Sequence, residues 1–161
     1  MIKLKKKSVK VGKLVNTEHV DTVVRNYKKN RWVHNSKRLG KEDSLSVWYS
    51  VAELEEYLEK VKTHGGDGIR MYFGVYGDDY TDQPLYAGRQ TVVLVATKTK
   101  QTDQGVSDKD IYINTGHSSS ILAYNAGRVC PPVCTIETGT GGLDEIGITI
   151  IDKGEDGMVI A

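Results

Sequence analysis

SVAELEEYLEKVKTHGGDGIRMYFGVY, residues 50–76, sets a helix directly before a strand, and its reading decides the fold. Ser50-Val51-Ala52-Glu53 spells a capping box: the serine hydroxyl accepts from the third residue's N–H, and the glutamate reaches back. Leu54, Tyr57, Leu58 and Val61 then recur at helical spacing, the stripe that a helix buries. His64-Gly65-Gly66 ends it, because glycine adopts the left-handed conformation that closes a helix. From Gly68 the pattern alternates. Ile69, Met71, Phe73 and Val75 point one way, while Arg70, Tyr72, Gly74 and Tyr76 point the other.

Working outward, Asn16 or Thr17 caps a helix running to about Asn30, with Val20, Val23, Val24 and Tyr27 as its apolar stripe. Residues 31–44 are polar and read as a loop, and 45–49 as a short strand. Downstream, 77–89 is an acidic loop with Pro84, and the β-branched run 91–97 is a strand covered on both faces. A polar loop at 98–109 precedes a strand at 111–114. Residues 121–134 (ILAYNAGRVCPPVC) read as a short helix or an irregular stretch, and 146–151 as a last strand. This order predicts an α+β fold: a mostly antiparallel sheet of about four to five strands packed on two helices.

At 161 residues, 39% hydrophobic and 27% charged, the chain has the size and composition of one globular domain spanning 1–161. Within it, 1–13 reads as a basic arm or Lys-guarded edge strand, and 135–161 as a Gly- and acid-rich segment. No run reaches the roughly 18–20 apolar residues of a membrane helix, so a membrane is not an expected partner. The N-terminal stretch MIKLKKKSVKVGKLV lacks the apolar core of a secretory signal. With two cysteines and no signal, the expectation is a cytoplasmic protein with reduced thiols.

Charge is segregated. Residues 1–41 carry 13 Lys and Arg against two acids, Glu18 and Asp21, giving +11. The other 120 residues carry 9 bases against 19 acids, giving −10. A basic segment of this kind calls for an anionic partner: nucleic acid, or the acidic body of this chain or a second copy.

The motifs are weak as chemistry. Gly116-His117-Ser118-Ser119-Ser120 misses the second glycine of a nucleophile elbow, and all four histidines precede Ser118, against the Ser-acid-His order of that fold. A polar turn is the better reading. Asp152-Lys153-Gly154-Glu155-Asp156-Gly157 has no side-chain ligand at the third position and too little chain to complete a calcium loop. Asp78, Asp79 and Asp82 read as a solvated acidic loop. Thr138-Gly139-Thr140-Gly141-Gly142 lacks the ending of a phosphate loop and reads as a turn.

Cys130-Pro131-Pro132-Val133-Cys134 is the most unusual string. An extended polyproline conformation would set the cysteines roughly 12 Å apart, beyond disulfide reach, so only a tight turn brings the sulfurs together. The first expectation is a structural turn with buried thiols; a redox disulfide and a metal site built on Cys130 and Cys134 are alternatives. Arg70, Tyr72 and Tyr76, on one strand face, are the candidate binding residues, since tyrosines beside a base can stack nucleobases.

Three strings, GDGIRMYFGVY ending at Tyr76, GRQTVVLVATK (88–98) and YNAGRVCPPVC (124–134), carry a resemblance. Over roughly residues 45–134, the chain resembles a group of small uncharacterised bacterial proteins, largely from Bacteroidota, with a GIRxYFG strand after a short helix. The resemblance implies a bacterial cytoplasmic protein of one domain, and no mechanism. No catalytic residue and no cofactor are expected. The leading function is a non-catalytic binding or interaction domain that associates with itself or another protein, with nucleic-acid association through the basic region as the alternative.

Overall fold

The computed structural model describes residues 10–134, together with the backbone of two short strands at 150–152 and 158–160. The fold is α+β, with antiparallel sheets, as a run of strands following one another after the helices favours. The chain forms two compact units. Ser50–Tyr72 and Val92–Asn125 belong to the first; Val15–Tyr49 and Phe73–Thr91 belong to the second, with the segment from Ala126.

In the first unit, α3 (Val51–Thr63) starts at the capping box, with the Glu53 N–H donating to Ser50 Oγ at 3.1 Å and the Ser50 N–H donating to Glu53 Oε2 at 2.6 Å. Tyr57 and Val61 are its buried side chains. The Tyr57 hydroxyl donates toward the carbonyls of Leu94 and Leu122, pinning the helix to the sheet. That sheet orders β2 (Gly68–Val75), β3 (Gln90–Thr102) and β4 (Gly105–Asp110), with β7 (Ala123–Tyr124) also on β3. Leu94, Val95, Ala96 and Leu122 fill the core. A separate hairpin pairs β5 (Tyr112–Asn114) with β6 (Ser119–Ile121).

The expected loop at 98–109 is instead mostly a hairpin. β3 continues to Thr102, turns through Asp103 and Gln104, and returns as β4, with Thr102 opposite Gly105. Its Thr and Lys residues alternate as a strand does, but the hairpin is solvated, so no apolar face marked it in the sequence.

In the second unit, α1 (Thr17–Tyr27) is capped by Asn16, whose side chain accepts from the His19 N–H at 2.9 Å. The helix does not stop near Asn30. It passes through a π turn at Lys28–Trp32 into α2 (Val33–Leu39) and closes at Gly40, left-handed at φ 69°. Residues 31–39 hold no Gly or Pro, and Trp32 and Ser36 attach to the following chain: Trp32 Nε1 donates to the Asp43 carbonyl, and the Asp43 N–H donates to Ser36 Oγ. β1 (Ser46–Trp48) pairs antiparallel with β8 (Arg128–Cys130). Tyr76, Tyr86 and Val129 make the local core, with Val47, Tyr80 and Val133 against it.

Residues 121–134 are therefore short strands and a turn rather than a helix. Of the strand expected at 146–151, only its end is described: β9 (Ile150–Asp152) pairs antiparallel with β10 (Met158–Ile160). The arm 1–9, the glycine run 138–142 and most of the 152–157 acidic string lie outside the described residues. Among the described residues, no helix is long and apolar enough to cross a membrane.

Candidate functional site

β2 has one strand neighbour among the described residues, β3, and so lies at the edge of the described sheet. Alternation assigns Ile69, Met71, Phe73 and Val75 to one face. Ile69 is half-buried, but Met71, Phe73 and Val75 are 62%, 84% and 64% exposed. Three large apolar side chains in a row on a strand whose second edge has no strand partner among the described residues are an invitation to pair. The sequence pattern revealed both faces of this strand. It did not reveal which one the fold leaves open, since that depends on what packs above.

The opposite face holds two of the three residues singled out from sequence. Arg70 Nη1 lies 2.6 Å from Asp110 Oδ1, and its Nη2 donates to the Asp108 carbonyl. The Tyr72 hydroxyl donates to Asp110 Oδ2 at 2.7 Å. Arg70 and Tyr72 are thus brought together, but by a carboxylate that uses their donors. The Arg70 guanidinium is held above its ordinary range by its bond to Tyr72, with Asp110 and Asp108 adding to it. Asp110 stands 40 residues away in the chain and left no signal that it would close this cluster.

Tyr76 is the correction. It lies one residue past β2 and is buried at 7%, its ring 4.5 Å from that of Tyr80 and 5.7 Å from that of Tyr86. The Thr91 hydroxyl donates to its oxygen. A buried ring cannot offer a stacking face, so Tyr76 leaves the candidate binding set.

A shallow depression of about 210 Å³ lies beside α3, lined by Glu53, Glu56, Tyr57, Lys60 and Tyr124 among others. The Tyr57 and Tyr124 rings stack at 5.2 Å, and the Tyr124 hydroxyl donates to Glu53 Oε1 at 2.9 Å. Hydrogen bonds from Ser50, then from Tyr124, hold the Glu53 carboxyl below the usual carboxylate range. The same bond to Glu53 raises the Tyr124 hydroxyl. Glu53 is thus committed to capping the helix and holding Tyr124.

Cys130 and Cys134 are joined by a disulfide, with Cα atoms 4.8 Å apart. This corrects the expected separate thiols. The turn foreseen at Pro131 and Pro132 is present, with both prolyl bonds cis, and the Val133 N–H donates to the Val129 carbonyl across it. With both sulfurs bonded to each other, neither is a metal ligand in this state. Arg128 stacks its guanidinium 4.2 Å over the Trp48 ring.

Two further motifs of the sequence fall within the described residues. Gly116 to Ser118 form the β5–β6 turn, where Thr115 Oγ1 meets Ser118 Oγ at 2.9 Å. Asp78, Asp79 and Asp82 lie in an exposed loop. Among the described residues, no group of three or more His, Cys, Asp or Glu is placed to hold a metal. No protein-family model, curated protein or solved structure matches this chain.

Proposed function

We propose that this protein is a non-catalytic interaction domain working in the cytoplasm, and that its partner is a second copy of itself. The observation that carries the reading is the open apolar row of β2. A strand edge with no partner among the described residues supplies backbone groups for pairing, and Met71, Phe73 and Val75 supply apolar area beside it. Charge argues for a like partner: a chain that is +11 over 1–41 and −10 beyond carries both halves of a complementary surface. The exposed bases of the long helix, Lys29, Arg31, Lys37 and Arg38, stand ready for that contact.

Sedimentation velocity over a concentration and salt series tests this, with and without a single-stranded oligonucleotide. The expected result is a concentration-dependent dimer without nucleic acid, weakened as salt rises. A chain that stays monomeric at high micromolar concentration in every salt overturns it. Binding of the oligonucleotide with a steep salt dependence, by a chain otherwise monomeric, would assign the basic region to nucleic acid instead.

A further inference from the structure

We propose that Cys130 and Cys134 form a reversible dithiol–disulfide couple that exchanges with small thiols, entered at Cys134. Self-association plays no part in this inference; it rests on the turn and on the cytoplasmic setting proposed above.

Interactions that involve no sulfur hold the two cysteines in reach. The Leu45 N–H donates to the Cys130 carbonyl at 2.8 Å, and β1 pairs Ser46 with Cys130. The Val129 N–H donates to the Tyr86 hydroxyl at 3.2 Å, and the Val133 N–H donates to the Val129 carbonyl at 3.0 Å. These bonds survive reduction, so the thiols stay close enough to re-form the link. Proximity of this kind raises the effective concentration of one thiol at the other. The link itself constrains less than a long-range disulfide would. Stabilisation by a disulfide grows with the loop it closes, and four residues of separation are near the minimum. A bond easy to make and of small consequence for folding suits cycling better than structural reinforcement. In a cytoplasmic chain, disulfides are mostly transient, catalytic or redox-sensing.

The two sulfurs are not equivalent. Cys130 is buried at 5% beside the fully buried Val129, whereas Cys134 is half-buried at the end of the turn. A small thiolate therefore attacks Cys134 Sγ. The sulfur–sulfur bond breaks, its electron pair leaves on Cys130 Sγ, and that sulfur takes a proton from water. A second thiolate attacks the outer sulfur of the mixed disulfide and departs as the oxidised small-molecule disulfide, leaving Cys134 to be protonated. Two small thiols are oxidised to one disulfide, and the protein gains two electrons and two protons. The reverse sequence restores the bond.

The test equilibrates the native full-length chain with reduced and oxidised glutathione at defined ratios, followed by acid quench, alkylation and mass spectrometry. The expected result is full interconversion across those ratios with an unchanged far-UV spectrum. A bond that resists the most reducing ratio until urea unfolds the chain overturns the proposal. Cys130→Ala should accumulate a glutathione adduct on Cys134 faster than Cys134→Ala does on Cys130, by roughly ten-fold or more. Equal rates would remove Cys134 as the point of entry. Should either variant fail to fold, the parent titration decides alone.

Discussion

Glu53 shows how one side chain ties a helix start to the strand that follows much later in the chain. Its carboxylate accepts from the Ser50 N–H and the Tyr124 hydroxyl, and these bonds depress its pKa. A carboxyl favoured as the anion in the fold contributes stability above its unfolded pKa, about 4.3. That contribution is lost as pH falls through the lower folded value. Glu53→Gln should flatten the acid limb of stability below about pH 5, read as urea midpoints over a pH series; an unchanged limb would assign acid sensitivity elsewhere. On the alkaline side Tyr124 and Tyr57 are raised, the first by Glu53 and the second by burial. Their contribution is present below about pH 10 and is lost as pH rises through the folded values. Tyr57→Phe leaves the Leu94 and Leu122 carbonyls without that donor. It should cost about 1 kcal/mol, with a larger loss expected only if those carbonyls stay dry.

The elements divide by whether their signal is local. The start of α3 was legible because the capping box is a chemical statement made by four adjacent residues. Ser50→Ala should lower stability by about 1 kcal/mol, measured by urea unfolding, and no change would mean that Glu53 caps unaided. The strands 68–75 and 90–102 were legible from alternation and β-branching, although the polar end of the second was not. The extension of the first helix to Leu39 was hidden, because an exposed polar helix and a polar loop have similar composition. Trp32 reveals the difference only through its partner at Asp43. The β1–β8 pair was equally hidden, since Ser46 and Cys130 are joined by a fold-level contact. There the packing is close: a Cβ on Gly127 would lie 2.6 Å from side-chain atoms of Val47 and Tyr49. Gly127→Ala should therefore destabilise by about 1–3 kcal/mol in the same assay, and a neutral result would show that the Val47 and Tyr49 side chains yield freely.

For the whole molecule, the decisive imbalance is between what the sequence makes apolar and what the fold covers. Phe73, at 84% exposed, gains little burial from folding, and its neighbours Met71 and Val75 stay mostly exposed. Burying a phenylalanine side chain is worth about 1.5–3 kcal/mol, and a two-fold contact uses each residue twice. Phe73→Ser should therefore weaken association by at least about 3 kcal/mol over both copies, a roughly hundred-fold rise in Kd. Since the side chain is exposed in the single chain, the urea midpoint of the dilute monomer should hardly move. Charge makes a separable contribution. Raising ionic strength from about 0.1 M to about 1 M shortens the screening length from about 10 Å to about 3 Å, so it weakens the basic–acidic attraction and spares apolar contact. Phe73→Ser and high salt should thus act additively on the association free energy, multiplying in Kd, each leaving the other's effect intact. If Phe73→Ser associates as the parent does, β2 is not the interface; if salt alone abolishes association, charge carries it without the strand.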